Sequence, residues 1–314
     1  MPVKIVRMVG DRGRGNLGRC LAAAFLACLA GCIDDAGVDP AGDAGDGGFD
    51  TDTGTGQERP LLVTFIDVGQ GDAALFELPD GTVILIDGGP NEAGRDFVAP
   101  LLEEKGVEVL DLMVLTHPHA DHCGGLDEIL EDFDVLEIWE NGETSDTMTY
   151  QEYAEARDAE GALIEIVAEG ETRQYGEVSL RVLHSDCGYE GANNDSLVIL
   201  FSFGTIDVLT TGDVEAEGQL DLVAGHGDEI ASEVVKVPHH GSHDFAGSFV
   251  EAVAADFGVI SCGADNDFGH PHQEAIEAWQ QAGTALCCTA DSGDVELRSN
   301  GVSFEYDCAA PLAY

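Results

Sequence analysis

The sequence predicts an α+β fold in which two mixed β-sheets pack face to face and helices cover their outer surfaces. Three observations support this prediction: short apolar or alternating runs recur along the chain, glycine-rich turns separate several of them, and stretches of helical periodicity lie between them in both halves. Each sheet and each amphipathic helix must bury its apolar face against another layer, and two sheets between helices achieve this.

In the first half, three short runs form a predicted meander of strands, because Gly-Gln-Gly-Asp and Pro-Asp-Gly between them are turn signals. A predicted helix and strand then alternate twice. Strands are predicted at 61–68, 73–78, 83–87, 111–116 and 135–139, and helices at 97–105 and near 125–131.

The second half has the same character, with apolar runs that are too short for helices and that end in glycine or polar residues. Strands are predicted at 178–183, 196–203, 206–211, 233–237 and 257–261, and helices at 215–223, 248–254 and 273–281. These elements supply the second sheet and its covering helices.

The segment after the strand at 111–116 is dense in side chains that bind metals, since His117, His119, Asp121 and His122 lie within six positions. An extended chain points His117 and His119 to the same side, so both imidazoles can reach one ion. Asp121 and His122 follow at a turn into the next helix and can reach a second ion. Mixed nitrogen and oxygen ligands suit zinc, manganese or iron.

Other predicted strands also end in carboxylates or imidazoles. Asp213 follows Thr211 and Gly212 at a strand end, where a carboxylate can bridge two metals. His239 and His240 follow a later strand, and His270 belongs to a third group of histidines. Eight of the ten histidines lie in these three clusters, which an ordinary surface or core role does not easily explain. Asp67, Asp72 and Asp87 lie in glycine-rich turns, a weaker signal because such turns are common.

Taken together and in this order, the motifs resemble those of the metallo-β-lactamase superfamily and, within it, the ComEC-type extracellular hydrolase domain associated with DNA uptake. The resemblance covers about residues 62–298. It includes Asp67-Val68-Gly69-Gln70-Gly71-Asp72, His117-Pro118-His119-Ala120-Asp121-His122, Asn193-Asn194-Asp195-Ser196-Leu197, Thr211-Gly212-Asp213, Lys236-Val237-Pro238-His239-His240-Gly241-Ser242 and Gly269-His270-Pro271.

The resemblance implies an αββα sandwich with two divalent metal ions, zinc or manganese, at its open edge. It implies that His117 and His119 hold the first ion, that Asp121 and His122 hold the second, and that Asp213 bridges them. One of the two adjacent histidines should complete the second site; we prefer His240, with His239 facing substrate. Many members carry a further histidine ligand where this chain has Asn193-Asn194-Asp195-Ser196, so the first ion should be held more weakly. The lone His184 could substitute, although a structural role is favoured.

The implied activity is metal-dependent hydrolysis, most simply of a phosphodiester attacked by a metal-bound hydroxide. Asp121 would orient the nucleophile, and His239 and His270 would contact phosphate oxygens or protonate the leaving group. Ser242 and Asn194 are candidate substrate contacts. The alternatives are hydrolysis of another ester class, such as a lactone, thioester or β-lactam, and a metal-binding surface lipoprotein without turnover.

The N-terminus has the layout of a secretory signal over residues 1–31, with basic residues before an apolar stretch at 21–30 that is too short to span a membrane comfortably. Leu29-Ala30-Gly31-Cys32 resembles a lipobox, which implies lipid on Cys32 and a membrane-anchored lipoprotein facing the periplasm or the cell exterior. An ordinary cleaved signal peptide is the alternative. Residues 32–59 are predicted to form an acidic tether, and residues 60–314 to form the hydrolase domain.

The domain is strongly acidic. The whole chain has a formal net charge of −48, and residues 60–314 contain only seven Lys or Arg. Because the acids are scattered, adaptation to a saline medium is favoured, and tight nucleic-acid binding is not expected without a basic stripe. Six cysteines follow residue 60 and permit fifteen disulfide pairings, among which the sequence does not choose.

Overall fold

The computed structural model describes residues 3–8, 59–185, 188, 189 and 191–313. Its strands are β1 Val3–Met8, β2 Leu61–Phe65, β3 Ala74–Glu77, β4 Val83–Ile86, β5 Val109–Leu110, β6 Leu112–Val114, β7 Asp134–Val135, β8 Glu137–Glu140, β9 Leu163–Ile166, β10 Thr172–Tyr175, β11 Val178–His184, β12 Val198–Phe203, β13 Ile206–Thr210, β14 Val234–Lys236, β15 Phe257–Ile260, β16 Ala285–Cys288, β17 Val295–Ser299 and β18 Ser303–Cys308. The α-helices are α1 Ala99–Lys105, α2 Ala120–Cys123, α3 Leu126–Asp132, α4 Met148–Glu160, α5 Ala216–His226, α6 Gly247–Val253, α7 Gln273–Gln281 and α8 Thr289–Ser292. Single turns of other helix types lie at Gly94–Val98, Ala192–Asp195, Gly227–Ile230 and Pro238–Gly241.

The strands form two large mixed sheets with the same plan, and a small one that pairs β5 with β7. The first sheet has the order β1-β18-β17-β2-β3-β4-β6-β8-β9, antiparallel from β1 to β4 and parallel from β4 to β9. The second has the order β10-β11-β12-β13-β14-β15-β16, antiparallel up to β13 and parallel thereafter. The predicted pair of mixed sheets is confirmed.

The two sheets pack face to face through aromatic and aliphatic side chains that alternate along the strands. The rings of Phe76 and Phe201 stack with centroids 4.1 Å apart, and those of Phe257 and Tyr306 with centroids 3.7 Å apart. Each pair joins one residue of the first sheet to one of the second. Burial of such rings is a main source of stability in a sandwich of this size.

Helices cover both outer faces. Leu102 of α1, Ile129 of α3 and Tyr153 of α4 pack on the outer face of the first sheet, and Leu222 of α5, Phe249 of α6 and Trp279 of α7 cover the second. All six are buried. The layers therefore run helix, sheet, sheet, helix, which confirms the predicted αββα sandwich.

The sequence did not predict helices α4 and α8, strand β1, the strands β16 to β18, or several two- to four-residue strands. Helix α4 has few apolar residues, but its ends carry signals: the Thr147 hydroxyl accepts the amide of Tyr150 at 3.3 Å, and Gly161 ends the helix with φ 86°. In β17, Val295 and Leu297 alternate with exposed residues, as expected of a strand with one buried face. Turn signals and alternation were thus present in both regions.

In the full chain, Val3–Met8 pairs antiparallel with β18 from Val3↔Cys308 to Met8↔Ser303 and covers an edge whose amides and carbonyls would otherwise accept another strand. The assignment of residues 1–31 as a cleaved signal outside the folded domain stays a prediction. The predicted cleavage site, the lipid on Cys32 and the acidic tether lie outside the described residues. Within the described ranges, no helix has both the length and the apolar character needed to cross a bilayer.

One disulfide joins Cys287 of β16 to Cys308 of β18, with Cα atoms 6.1 Å apart. Because β16 lies in the second sheet and β18 in the first, this bond links the two sheets directly. It settles one of the pairings that the sequence left open.

Candidate metal centre

The functional side chains gather where strands of both sheets end. The segment that carries His117 and His119 leaves β6 of the first sheet, Asp213 follows β13, and His239 and His240 follow β14 of the second sheet. The C-terminal ends of parallel strands in α/β sheets are a common place for ligands, because loops from neighbouring strands meet there. The predicted segments therefore lie at one edge of the sandwich.

Four predicted ligands converge at this edge: Asp121, His122, Asp213 and His240 have ligand atoms that all lie within 4.8 Å of one another. Asp213 is central, since its Oδ2 lies 3.2 Å from Nε2 of His122 and 3.2 Å from Nε2 of His240. Asp121 Oδ2 lies 3.3 Å from the same nitrogen of His240. Two carboxylates and two imidazoles thus point to a shared volume.

His117 and His119 form a separate pair beside this cluster. Nε2 of His117 lies 3.0 Å from Nδ1 of His119, and the ring of His117 is centred 4.2 Å from that of His122. His117 is fully buried, whereas His119 is exposed. The other convergent group found among the described residues is Asp72, Asp87 and His122, so neither group supplies a third ligand to the pair.

Unusual backbone conformations aim the ligands. His239 and His240 have φ 47° and φ 54°, values that non-glycine residues rarely adopt. Asp87 also has a positive φ of 56°. Gly71 lies so close to the backbone of Asp121 that a Cβ added to Gly71 would be 2.3 Å from the carbonyl oxygen of Asp121. Such strain at several positions around one cluster is typical of functional sites.

A second layer of carboxylates orients the histidines. Asp87 Oδ2 lies 2.8 Å from Nδ1 of His122 and accepts the hydroxyl of Thr116 at 2.8 Å. Nδ1 of His240 lies 2.9 Å from the carbonyl oxygen of Ser261 and so donates to it. These bonds hold a proton on Nδ1 of each ring, so Nε2 is the nitrogen that is available to a metal ion.

Lys236 is a buried ammonium beneath the cluster. Its Nζ pairs with Asp72, donates to the carbonyl oxygen of Gly212 at 3.1 Å and lies 3.6 Å from Asp213 Oδ1. Although burial opposes the charged form, Asp72 and Asp213 raise the pKa of Lys236. The ammonium therefore stays charged and offsets part of the negative charge at this edge.

Electrostatics favour cations in the cluster. Burial lowers the pKa of His122 and His240, but the surrounding carboxylates together, Asp213 foremost, outweigh it and hold both values well above the ordinary one. Burial raises the pKa of Asp121, but the neighbouring imidazoles of His240 and His122 together lower it to about 2. In the metal-free protein, protons thus sit where a divalent cation would also be stabilised.

The arrangement fits a metal ion better than a hydrogen-bond network. Nε2 of His122 and Nε2 of His240 are buried, and neither forms a hydrogen bond within the described chain although Asp213 is only 3.2 Å away. At that distance the missing bond means that each N–H direction misses the carboxylate oxygen. The two imidazoles and the carboxylate surround one volume without bonding to each other. They are therefore a suitable ligand set for a divalent ion in that volume.

The predicted substrate-facing histidines lie at the mouth of the cluster. His239 Nε2 is 3.8 Å from Asp213 Oδ2, and its side chain is 20% exposed. The ring of His270 is centred 5.4 Å from that of His239 and 5.8 Å from that of His240. Burial and the neighbouring charge of His240 lower the pKa of His270 to about 4. Both histidines are therefore placed beside the cluster rather than within it.

Three further positions from the sequence analysis have hydrogen-bond partners outside the cluster. Asn194 is buried, and its Oδ1 accepts the amides of Glu215 at 2.9 Å and Gly218 at 3.0 Å, so it anchors the start of α5. That oxygen is committed to backbone amides, and the assignment of Asn194 as a substrate contact stays a prediction. Nε2 of His184 donates to the carbonyl oxygen of Asn194 at 2.6 Å, which agrees with the structural role favoured for it. Ser242 Oγ accepts the amide of Asp244 at 3.2 Å, which leaves its hydroxyl proton available.

Sequence reasoning did not assign roles to Asp72, Asp87 or Lys236. The signal was present, because Asp72 and Asp87 end glycine-rich turns and Lys236 precedes the histidine pair within an otherwise apolar strand. A lysine in a fully buried strand indicates a carboxylate partner. The sequence could not show which carboxylate it meets.

A sequence model of the Metallo-beta-lactamase superfamily matches residues 66–263, which include all four clustered ligands. The chain belongs to this superfamily. YhfI from Bacillus subtilis, a metallo-beta-lactamase fold protein of known crystal structure, aligns with a TM-score of 0.50 at 13% identity over 78% of this chain and 99% of YhfI. At that identity the likeness shows the fold alone.

Curated relatives confirm the resemblance to the ComEC type. ComE operon protein 3 of Bacillus subtilis (strain 168) is 30% identical over 255 residues, which cover 75% of this chain and 33% of that protein. Competence protein ComA of Neisseria gonorrhoeae is 28% identical over 246 residues, which cover 76% of this chain and 32% of that protein. The chain spans about a third of the length of these relatives.

Proposed function

We propose that this member of the metallo-beta-lactamase superfamily is a metal-dependent hydrolase that cleaves phosphodiesters. One observation carries the proposal: a single buried carboxylate, Asp213, lies 3.2 Å from Nε2 of both His122 and His240, and both nitrogens lack hydrogen bonds within the described chain. Asp121 joins the same cluster. A purely structural role would leave these buried polar atoms unsatisfied, at a cost in stability.

The residues divide between two metal positions. Asp121, His122 and His240 would hold one ion, His117 and His119 would hold the other, and Asp213 would lie between them. Bound divalent ions supply a lowered pKa for water and stabilise negative charge that develops on an oxyanion. Because His117 and His119 lack a third protein ligand in the convergent groups, we infer that this pair binds its ion more weakly.

Several side chains are placed to act on the substrate itself. His239 and His270 lie at the mouth of the cluster and are positioned to donate hydrogen bonds to phosphate oxygens. Ser242 adds a hydroxyl whose proton is not used by its turn. Asp121, the most exposed of the four clustered ligands with a 30% exposed side chain, is the carboxylate best placed to accept a proton from the nucleophile.

The charge of the domain supports a small diester or a short oligonucleotide over a long polyanion. Residues 60–314 contain only seven Lys or Arg among many acids, so a long nucleic acid would be repelled. Capture of one phosphate depends instead on the local charge of the bound ions and on imidazoles. The similarity to competence proteins supports a phosphodiester as the bond that is cleaved.

The direct test is hydrolysis of bis-p-nitrophenyl phosphate by the full chain loaded with Mn²⁺ or Zn²⁺. We expect turnover that disappears in Asp121→Ala and persists in the matched control Asp132→Ala, which removes an exposed carboxylate at the end of α3. A metal-loaded protein that is inert toward phosphodiesters but cleaves a lactone or a thioester would replace the proposed bond with another ester. Inertness toward all three would leave a metal-binding protein without turnover.

Substrate size is tested by following cleavage of single-stranded DNA and of the small diester across a salt series. Since the acidic surface repels DNA most strongly when the Debye length is long, DNA cleavage relative to the small diester should rise with salt. Faster DNA cleavage at low salt would show that the surface charge does not select against polymers.

A further inference from the structure

Two cysteines outside the metal centre lie in direct contact. Sγ of Cys262 is 3.1 Å from Sγ of Cys288, and both residues are at most 1% exposed. Neither belongs to the disulfide between Cys287 and Cys308. The third free cysteine among the described residues, Cys123, is also buried, but its Sγ is directed to the carbonyl oxygen of Pro118 at 3.8 Å.

Strand geometry separates the two pairs. Successive side chains of a strand point to opposite faces, so the adjacent residues Cys287 and Cys288 of β16 face different layers. Cys287 belongs to the core between the sheets together with Cys308, whereas Cys288 belongs to the layer beneath the helices together with Cys262. Each cysteine of β16 therefore has one partner on its own side of the sheet, which excludes the crossed pairings.

We propose that Cys262 and Cys288 form a second disulfide, which joins the loop after β15 to the end of β16. The two sulfur atoms are 3.1 Å apart, about 1 Å farther than the sulfur atoms of a disulfide bond. In the reaction, the thiolate of one cysteine attacks a disulfide oxidant and releases one oxidant thiol; the other thiolate attacks the mixed disulfide and releases the second. Two cysteine thiols are oxidised and one external disulfide is reduced to two thiols.

The burial of the two sulfur atoms determines at which stage the disulfide can form. An oxidant cannot reach sulfur atoms that are at most 1% exposed, so oxidation must occur while the chain folds or while this edge of the sheet opens. Once closed, the bond would be protected from reductants by the same burial. The oxidised and reduced forms of the folded protein should therefore interconvert slowly.

The bond would also fix a neighbour of the metal centre. Ser261 precedes Cys262, and its carbonyl oxygen accepts from Nδ1 of His240 at 2.9 Å. The hydroxyl of Thr289, which follows Cys288, contacts both the amide and the carbonyl of Cys262 at 3.1 Å and 3.3 Å. A disulfide here would hold the backbone behind a predicted metal ligand in place.

The test is differential thiol labelling of the full chain. Reduced, unfolded protein is refolded with a glutathione redox couple, labelled with one alkylating reagent under denaturing conditions, reduced, labelled with a second reagent and mapped by mass spectrometry. We expect Cys262 and Cys288 to carry the second label and to appear in one cross-linked peptide before reduction. Cys123→Ser should leave the cross-link intact, whereas Cys262→Ser should give Cys288 the first label.

The proposal is overturned if Cys262 and Cys288 carry the first label after oxidative refolding, or if either is linked to a different cysteine. A second measurement applies to the metal centre. Zn²⁺ loss to a chelator should be roughly tenfold slower in the oxidised than in the reduced form, which is the lower end of the effect that the hydrogen-bond partners of metal ligands have on metal affinity. Equal rates in the two forms would overturn the inferred effect on His240. Cys262→Ser, which cannot close the bond, should show no dependence on redox state.

Discussion

Nε2 of His122 lies 3.2 Å from Oδ2 of Asp213 without forming a hydrogen bond to it. The two residues follow strands of different sheets. His122 lies in α2, after β6 of the first sheet, and Asp213 lies after β13 of the second. A buried imidazole and a buried carboxylate that face each other without a hydrogen bond are stabilised when a divalent cation lies between them.

Metal affinity should rise with pH. The pKa values of His122 and His240 are raised well above the ordinary value, because Asp213 and the neighbouring carboxylates together attract the charged rings more strongly than burial opposes them. Since a metal binds the neutral imidazole, the ion must displace these protons. Calorimetry in two buffers of different ionisation enthalpy should detect protons released on Zn²⁺ binding at neutral pH. Binding heats that do not depend on the buffer would contradict the proposed ligands.

The stability of the metal-free protein should change with pH in the opposite direction to metal affinity. A histidine whose pKa is higher in the folded state stabilises that state fully below its unfolded pKa, and this stabilisation is lost as pH rises through the folded value. The contribution of His122 and His240 to the stability of the metal-free protein should therefore decrease at alkaline pH. Added metal should reverse the loss.

Asp87→Asn should weaken metal binding without unfolding the protein. Asn tolerates the positive φ of 56° found at this position, but it cannot supply the carboxylate that holds Nδ1 of His122 at 2.8 Å. The expected loss of Zn²⁺ affinity is roughly 10- to 100-fold, the usual effect of removing a hydrogen-bond partner of a ligand. Competition with a chelator of known affinity measures it, with Asp132→Asn as the matched control. Unchanged affinity in Asp87→Asn would contradict the role of the Asp87 carboxylate in supporting His122.

Lys236→Met should destabilise the protein, because it removes the ammonium that faces the buried carboxylate of Asp72. Breaking a buried pair from one side typically costs roughly 3–5 kcal/mol in the free energy of unfolding. Urea unfolding of the metal-free protein measures the change. The double variant Asp72→Asn with Lys236→Met should recover part of the loss, and additive effects of the two substitutions would contradict the pairing.

The fold was largely predictable because its strands and helices carry local signals. Alternation and turn residues gave the strands that flank the site, and the short apolar runs required two layers of sheet. Helix α4 and strand β17 were missed because their apolar content is low: α4 buries two tyrosines, and β17 exposes Glu296 and Arg298. The pairing of Val3–Met8 with β18 depends on a partner some 300 positions away, which no local pattern specifies.

The residues of the candidate site were predictable from the sequence, but their hydrogen-bond partners were not. The spacing of His117, His119, Asp121 and His122 indicated a metal site by itself. The partners of these ligands could not be predicted, because the contact of Asp87 with His122 depends on the pairing of β4 with β6 and on a positive φ. The bond of Asn194 to the start of α5 could not be predicted either, because a buried amide that anchors a helix and one that faces substrate have the same sequence signature.

We also propose that Cys32 is lipidated after removal of residues 1–31, which would detach β1 from β18. Cys32→Ser should then abolish metabolic labelling with palmitate and release the protein from the membrane fraction. Hydrogen exchange in Ser303–Cys308 should be faster in the mature protein than in the full chain, since the outer edge of β18 loses its partner. Retention of residues 1–31 in the mature protein, seen by intact mass, would refute the cleavage.

The most direct test of the metal centre is an anomalous difference map from crystals of the Zn²⁺-loaded protein, recorded at the zinc absorption edge. We predict a peak within coordination distance of Asp121, His122, Asp213 and His240, and a weaker one next to His117 and His119. Metal-loaded crystals with no peak between Asp213 and His122 would contradict the account, because the hydrolase proposal depends on a cation in that position.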